Sequence, residues 1–400
     1  MRKHILVVSQ YFYPEPFRIS DMCQDWVKRG YKVTVLTGLP NYPDGKIYKG
    51  YRRRERRREH WNGIDIIRIP LIARGKGAFR LMLNYFSFVV SGFFWKSFTK
   101  VKADLVFSYE VSPMTQVLVG CWYAKRRKIP HYLYVQDLWP ENVETVTGIH
   151  SKLVINPISK MVNKIYKNCD LIFGTSESFV TEIQKRVFDD KSKVKYWPQY
   201  AEEFYTPTEK RVEELEKDPA FKIIFTGNIG QAQGLNILPQ TAKILKEQNQ
   251  RVKFVIVGDG REKTKLMEEI QRQGVEDLFV LVSRRPGEEI PAYLCSCQAA
   301  FVSFMNNDLF AKTIPAKLQS YMACGMPIIA SATGETERIV READCGVCAK
   351  IGDAMALSEA IVQLLNKKDI SRLGINAKAY CDKHFKKVAL MDEMDKYFGE

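Results

Sequence analysis

Short β-rich apolar runs alternate with helical patterns through the first half of the chain. The runs are His4 to Ser9, Lys32 to Thr37, Ile64 to Ile69, Asp104 to Ser108, His131 to Gln136, Asp170 to Gly174 and Val194 to Trp197. Such alternation predicts a parallel sheet wrapped by helices. Near Ala201 the pattern pauses. From there to Pro219 the chain is polar, carries Pro207 and Pro219 and includes EKRVEELEKD, which reads as a linker with one helix. The alternation restarts with Phe221 to Thr226, Arg251 to Val257, Leu278 to Val282, Ala299 to Ser303 and Pro327 to Ala330. Two doubly wound α/β halves with a cleft between them are expected: residues 1–200, a linker 201–220, and residues 221–380. In open α/β sheets ligands sit at the carboxyl ends of strands, where the unusual residues of this chain cluster.

Length and composition agree with two domains, since 400 residues at 46% hydrophobic content can fill two cores. The formal charge of +15 attracts anions: nucleic acid, anionic lipid or phosphorylated metabolites. The start, MRKHILVVSQ, has no apolar signal-peptide core, and with nine cysteines this points to a reducing cytoplasm. The close pairs Cys345/Cys348 and Cys295/Cys297 read as ordinary buried thiols. No run reaches the roughly 20 apolar residues of a spanning helix. Leu81 to Trp95, uncharged between Arg80 and Lys96, predicts a buried or interfacial helix. Arg52 to Arg58, Arg74, Lys76 and Arg80 beside it suit anionic headgroups, which predicts peripheral membrane contact.

Several motifs carry candidate chemistry. In TIPAKLQSYMACGMPIIAS, Thr313 to Ser331, Pro315 opens a helix, Gly325 lies just past its end, and Lys317 falls in the first turn. Unpaired N–H groups and the macrodipole already make that turn positive, so Lys317 predicts a bound anion such as a diphosphate. In FTGNIGQAQGL, Gly227, Asn228 and Gly230 follow a strand where backbone N–H groups can approach a ligand. VIVGDGREK has Lys263 where a dinucleotide fingerprint needs its third glycine, which disfavours a nicotinamide or flavin site. VQDLWPEN sets Asp137, Trp139 and Glu141 just after a strand, either as sugar-handling groups or as a helix cap with a packing tryptophan. SQYFYPEPFRISD, with Tyr13, Phe17 and Arg18, reads as a rigid aromatic binding loop.

In order and spacing, QYFYPEPFRISD, VQDLWPE, FTGNIGQAQGL, VGDGREK and IPAKLQSYMACGMPIIAS resemble family 4 glycosyltransferases, over nearly the whole chain. The resemblance is to the branch that transfers N-acetyl-L-fucosamine and related amino sugars in O-antigen and capsule synthesis. It implies the GT-B fold, two facing Rossmann-like domains, and retention at the anomeric carbon. It also implies an acceptor, lipid-linked or saccharide, against the N-terminal domain and a nucleotide-sugar, UDP-linked, in the C-terminal domain. A last helix, 381–400, is expected to return to the N-terminal domain. The chain departs from the family pattern in places. The usual glutamate pair falls on Lys312 and Ser320, the diphosphate-gripping Arg and Lys on Asn228 and Gln233, and the mid-chain His-Asp on Gln136 and Asp137.

The expected reaction is a front-face displacement in which the leaving phosphate helps deprotonate the acceptor. With no compact Asp-x-Asp motif, the reading is metal-independent and cofactor-free. Lys317, Arg284, Arg285, Thr313, Pro315, Ser320 and the Gly227 to Gly230 loop would serve the donor, and Asp137 would orient acceptor or sugar, beside Tyr13, Phe17, Arg18, Trp139 and Glu141. The expected place is the inner face of the cytoplasmic membrane. The alternatives are a non-catalytic scaffold, suggested by the missing glutamates, and a nucleic-acid-binding protein, suggested by RRRERRR.

Overall fold

Every apolar run expected as a strand is one in the computed structural model, which describes residues 2–52, 55–75 and 77–399. Arg53, Arg54 and Lys76, part of the basic set expected at a lipid surface, lie outside the described residues. The chain forms two units, one ending at Trp197 and the other Pro198–Gly399. In the first, β1 (His4–Val8), β2 (Lys32–Thr37), β3 (Arg58–Trp61), β4 (Ile64–Arg68), β5 (Leu105–Glu110), β6 (His131–Val135), β7 (Leu171–Gly174) and β8 (Val194–Tyr196) make one sheet. Its order is β3-β4-β2-β1-β5-β6-β7-β8, parallel except for β3. In the second, β9 (Phe221–Asn228), β10 (Val252–Asp259), β11 (Phe279–Val282), β12 (Ala299–Ser303), β13 (Ile328–Ser331) and β14 (Gly346–Cys348) order as β11-β10-β9-β12-β13-β14, all parallel.

The second sheet shows why its strands read as unbroken apolar runs. Ile224, Val255, Ala300 and Ile328 pack into one core, while their neighbours Ile223, Phe254, Phe301 and Ile329 pack into another on the opposite face. A parallel sheet covered by helices on both faces leaves no side for polar residues. The stretch read as a linker belongs to the second unit. Its Leu215 is buried, Val212 N–H donates to Ser296 Oγ at 2.8 Å, and Ala201 N–H donates to Phe385 O at 3.3 Å. The last helix, Lys387–Gly399, groups with that unit too.

The run Leu81 to Trp95 lies inside a 21-residue helix, Ala78–Phe98. One face is buried, with Asn84, Phe88 and Gly92 four residues apart. A Cβ on Gly92 would lie 2.4 Å from Val119 Cγ2, so only glycine permits this approach to the helix Val117–Arg127. The other face exposes Phe79, Met82, Phe86, Val90, Phe93, Phe94 and Phe98. Among the described residues, no helix is long and apolar enough to cross a membrane.

Candidate functional site

In the second sheet the chain builds outward from β9 on one side through β10 and on the other through β12, so the topology reverses between β9 and β12. Ligands of open α/β sheets bind outside the carboxyl ends of strands at such a switch point. Two of the sequence motifs meet there. β9 ends in exposed Gly227 and Asn228, with Gly227 at φ +126°, a state side chains rarely allow. The following loop is pinned to the exit of β12. Ser303 Oγ donates to Gln233 O at 2.5 Å, and Met305 N–H to Ala232 O at 3.0 Å.

From β12 the chain enters the helix Ala316–Ala323, with Pro315 as its N-cap and no side chain capping it. The helix ends as its sequence suggests. Gly325 has φ +69°, its N–H bonds Met322 O, and Met326 N–H bonds Tyr321 O, both at 3.0 Å. Tyr321 ties the helix to β9, accepting from Thr226 N–H at 2.7 Å. One turn earlier on the same face stands Lys317. Its ammonium donates to Gln233 Oε1, lies 3.8 Å from the centre of the Phe225 ring, and would sit 4.0 Å from a Cβ on Gly227. Burial pushes the Lys317 pKa down to about 7. A desolvated cation in a helix first turn, against a glycine turn, suits an anion.

The other donor-side candidates are placed differently. Ser320 is buried and its hydroxyl donates to Ala316 O at 3.1 Å. Thr313 Oγ1 donates to Leu309 O at 3.0 Å. Both hydroxyls stabilise their own turns. Arg284 and Arg285 are exposed on the loop after the edge strand β11, two strands or roughly 10 Å across the sheet from β9. Arg285 lies 6.0 Å from the Tyr293 ring centre. Sequence reading missed Tyr321 and gave Gln233 only as a lost lysine. A tyrosine four residues after Lys317 was the available signal.

The first sheet reverses between β1 and β5. β5 ends in Glu110, fully buried, and β6 leads into Asp137. Asp137 Oδ2 accepts from Ser112 N–H at 2.7 Å, and Asp137 N–H donates to Glu110 Oε2 at 3.3 Å. Trp139 Nε1 and Asn142 Nδ2 both donate to Ser112 Oγ, at 3.0 and 2.5 Å. Asp137 thus ties the loop after β5 and does not cap the helix Glu141–Thr147, whose N-cap is Pro140. Burial raises the pKa of Asp137 against the lowering effect of its Ser112 bonds, and burial with the Asp137 charge raises that of Glu110. Two carboxyl groups therefore share the carboxyl ends of neighbouring strands, and Glu110 escaped the sequence reading. A glutamate closing an apolar strand was its signal. Glu141 pairs with Arg186 at 2.6 Å, and Trp139 is buried.

The aromatic loop after β1 is rigid through packing on itself. Tyr13 stacks on Trp61 at 4.0 Å, and Phe17 stands 5.2 Å from both Tyr11 and Tyr42. Glu15 is buried beneath it, accepting from the N–H groups of Asn41, Tyr42 and Phe12. Burial nevertheless pushes its carboxyl up to about 7. Arg18 is half-buried at the N-cap of the helix Ile19–Lys28.

Residues 17–196 match the family described as glycosyl transferase 4-like domain, and residues 207–380 match glycosyl transferases group 1. A glycosyl transferase of Escherichia coli named for colanic acid biosynthesis is 24% identical over 83% of this chain and 84% of its own. The amylovoran biosynthesis glycosyltransferase of Erwinia amylovora is 26% identical, over 41% of each chain, so this chain spans less than half of that relative. Among solved structures, sucrose-phosphate synthase from Thermosynechococcus elongatus has a TM-score of 0.75 at 17% identity, covering 99% of this chain and 98% of that one. Anabaena HepE, in complex with UDP and glucose, has a TM-score of 0.71 at 15% identity, covering all of both chains. The chain is therefore a glycosyltransferase of the GT-B fold, a glycosyl transferase 4-like domain followed in series by a group 1 domain.

Proposed function

We propose that the protein is a retaining, metal-independent transferase. It moves an N-acetylated amino sugar, as in the N-acetyl-L-fucosamine branch its motifs resemble, from a UDP donor to a lipid-linked saccharide in bacterial surface polysaccharide synthesis. The observation that carries this reading is the Lys317 ammonium lodged between Gln233, the Phe225 ring and the Gly227 turn. A preorganised cation there stabilises charge growing on the leaving diphosphate, and backbone N–H groups of the glycine turn add to it. The names of the relatives, from colanic acid and amylovoran biosynthesis, support the polysaccharide context, and the HepE complex supports UDP as the nucleotide. The acceptor belongs to the first unit, with Asp137 orienting it. The exposed apolar face of Ala78–Phe98 supports peripheral contact with the membrane that carries a lipid-linked acceptor.

The test uses UDP-N-acetylglucosamine, whose charge is constant near neutral pH, as a binding probe. A diphosphate stabilises the protonated amine, so the Lys317 pKa rises in the complex above its free value of about 7. Affinity is then greatest below pH 7 and falls as pH rises through and above it. Lys317→Ala should bind weakly with a flat profile and lose turnover on the order of 100-fold. An unchanged profile in that variant would remove Lys317 from the donor site.

A further inference from the structure

At the opposite end of the first sheet from Asp137, three residues far apart in sequence converge. Cys121 comes from the helix Val117–Arg127, His131 opens β6, and Cys169 stands just before β7. All three are buried, and one ligand atom from each lies within 4.8 Å of the others. Cys169 Sγ is 3.7 Å from His131 Nδ1. Two ligands on a tetrahedral zinc, with Zn–S near 2.3 Å and Zn–N near 2.0 Å, stand about 3.5 Å apart. The spacing already present is that of a coordination edge.

The imidazole is also oriented for the task. Its Nε2 stands 2.7 Å from Ser108 Oγ. A proton on Nε2 donated to that hydroxyl leaves the Nδ1 lone pair turned toward the sulfurs, the arrangement found where an outer hydrogen bond fixes a ligating histidine. Gly120 keeps this contact open, because a Cβ there would lie 2.5 Å from Ser108 Oγ and 2.8 Å from His131 Nε2. The backbone is held too, since His131 N–H donates to Asp170 Oδ2 at 2.8 Å. A cavity of about 320 Å3 meets the three residues and is lined by Lys125, Lys128 and Lys167. It leaves room for water at a fourth position.

We propose that Cys121, His131 and Cys169 form a zinc site, with a solvent water completing the tetrahedron. Two thiolates, one neutral imidazole and water match the nitrogen and sulfur preference of this cation. Binding releases a proton from each thiol and leaves a site of no net charge. The ion joins a helix, the start of β6 and the approach to β7, all within the first unit. Its place at the amino ends of the strands separates it from the Asp137 loop at their carboxyl ends.

The full-length protein, purified without chelator after growth with zinc, is expected to keep about one zinc ion per chain through dialysis. The double substitution Cys121→Ser, Cys169→Ser should lower this at least tenfold. Cobalt(II) titrated into the metal-free wild-type protein needs no substitution. It should give a thiolate-to-cobalt charge-transfer band and the strong visible bands of a tetrahedral ion, saturating at about one equivalent. Less than about a tenth of an equivalent of zinc, with no charge-transfer band, would overturn the site. Equal zinc in wild type and double variant would assign the metal to other cysteines and overturn it equally, as would retention of copper alone.

Discussion

At the scale of single residues, the two switch points hold groups of opposite character. Lys317 is a cation that burial destabilises, so an anionic ligand relieves a strain already present in the free protein. Asp137 and Glu110 are carboxyls that burial drives toward the neutral form. The Asp137 contact to Ser112 N–H needs only an acceptor oxygen, which asparagine also provides. Asp137→Asn therefore separates a loop tie from a charged role. Transfer is expected to fall on the order of 100-fold, the scale of losing one positioned catalytic carboxylate, while the melting temperature stays close to wild type. Wild-type transfer in this variant would leave Asp137 as a tie for the loop after β5 and nothing more.

At the scale of elements, the helix Ala78–Phe98 combines a packed face with an apolar one open to solvent. Phe79, Met82, Phe86, Val90 and Phe93 follow helical spacing along the open face, and Lys96 lies 4.3 Å from the Phe93 ring centre. Burying a phenylalanine in the acyl boundary is worth about 1.5 kcal/mol or more, roughly tenfold in partitioning. Phe86→Glu with Phe94→Glu should cut cosedimentation with anionic vesicles at least tenfold, and salt should weaken the wild-type interaction. Equal binding to neutral vesicles, or none to either kind, would count against a lipid-facing helix. The same element marks where sequence reading succeeds and fails. Its apolar length was visible, yet which residues faced outward depended on Gly92 meeting Val119, a contact between helices. Strands buried on both faces announced themselves as apolar runs. β3 did not, because its REHW is polar and pairs antiparallel at the edge. The hairpin signal was present all the same, since Asn62 and Gly63 both have positive φ and form the two-residue turn between Trp61 and Ile64. β14, three residues long, was hidden by brevity, with Gly346 placing its absent Cβ 1.9 Å from Ile328 O. Motifs continuous in sequence, such as Pro315 to Gly325, were legible. Tyr321 on Thr226, Glu110 beside Asp137, and Cys121 with His131 and Cys169 required the topology, because their partners lie in different strands and helices.

At the scale of the whole molecule, one architecture is used twice, and charge distinguishes the two copies. Each sheet reverses its strand order once, between β1 and β5 and between β9 and β12. The carboxyl ends of the first carry Glu110 and Asp137, while those of the second carry a glycine turn and Lys317. A nucleotide diphosphate finds a counter-charge in the second set and none in the first, and low dielectric strengthens that attraction. Saturating UDP should therefore slow amide hydrogen exchange in Gly227 to Gly234 and at the start of Ala316–Ala323, where ligand contacts hold the backbone closed. Amides of the loop from Gln136 to Asn142 should respond less. The division of labour fails if protection appears in that loop, or in Ser9 to Arg18, and is missing from the glycine turn. Exchange unchanged everywhere at saturating UDP would exclude uridine diphosphate as the donor nucleotide.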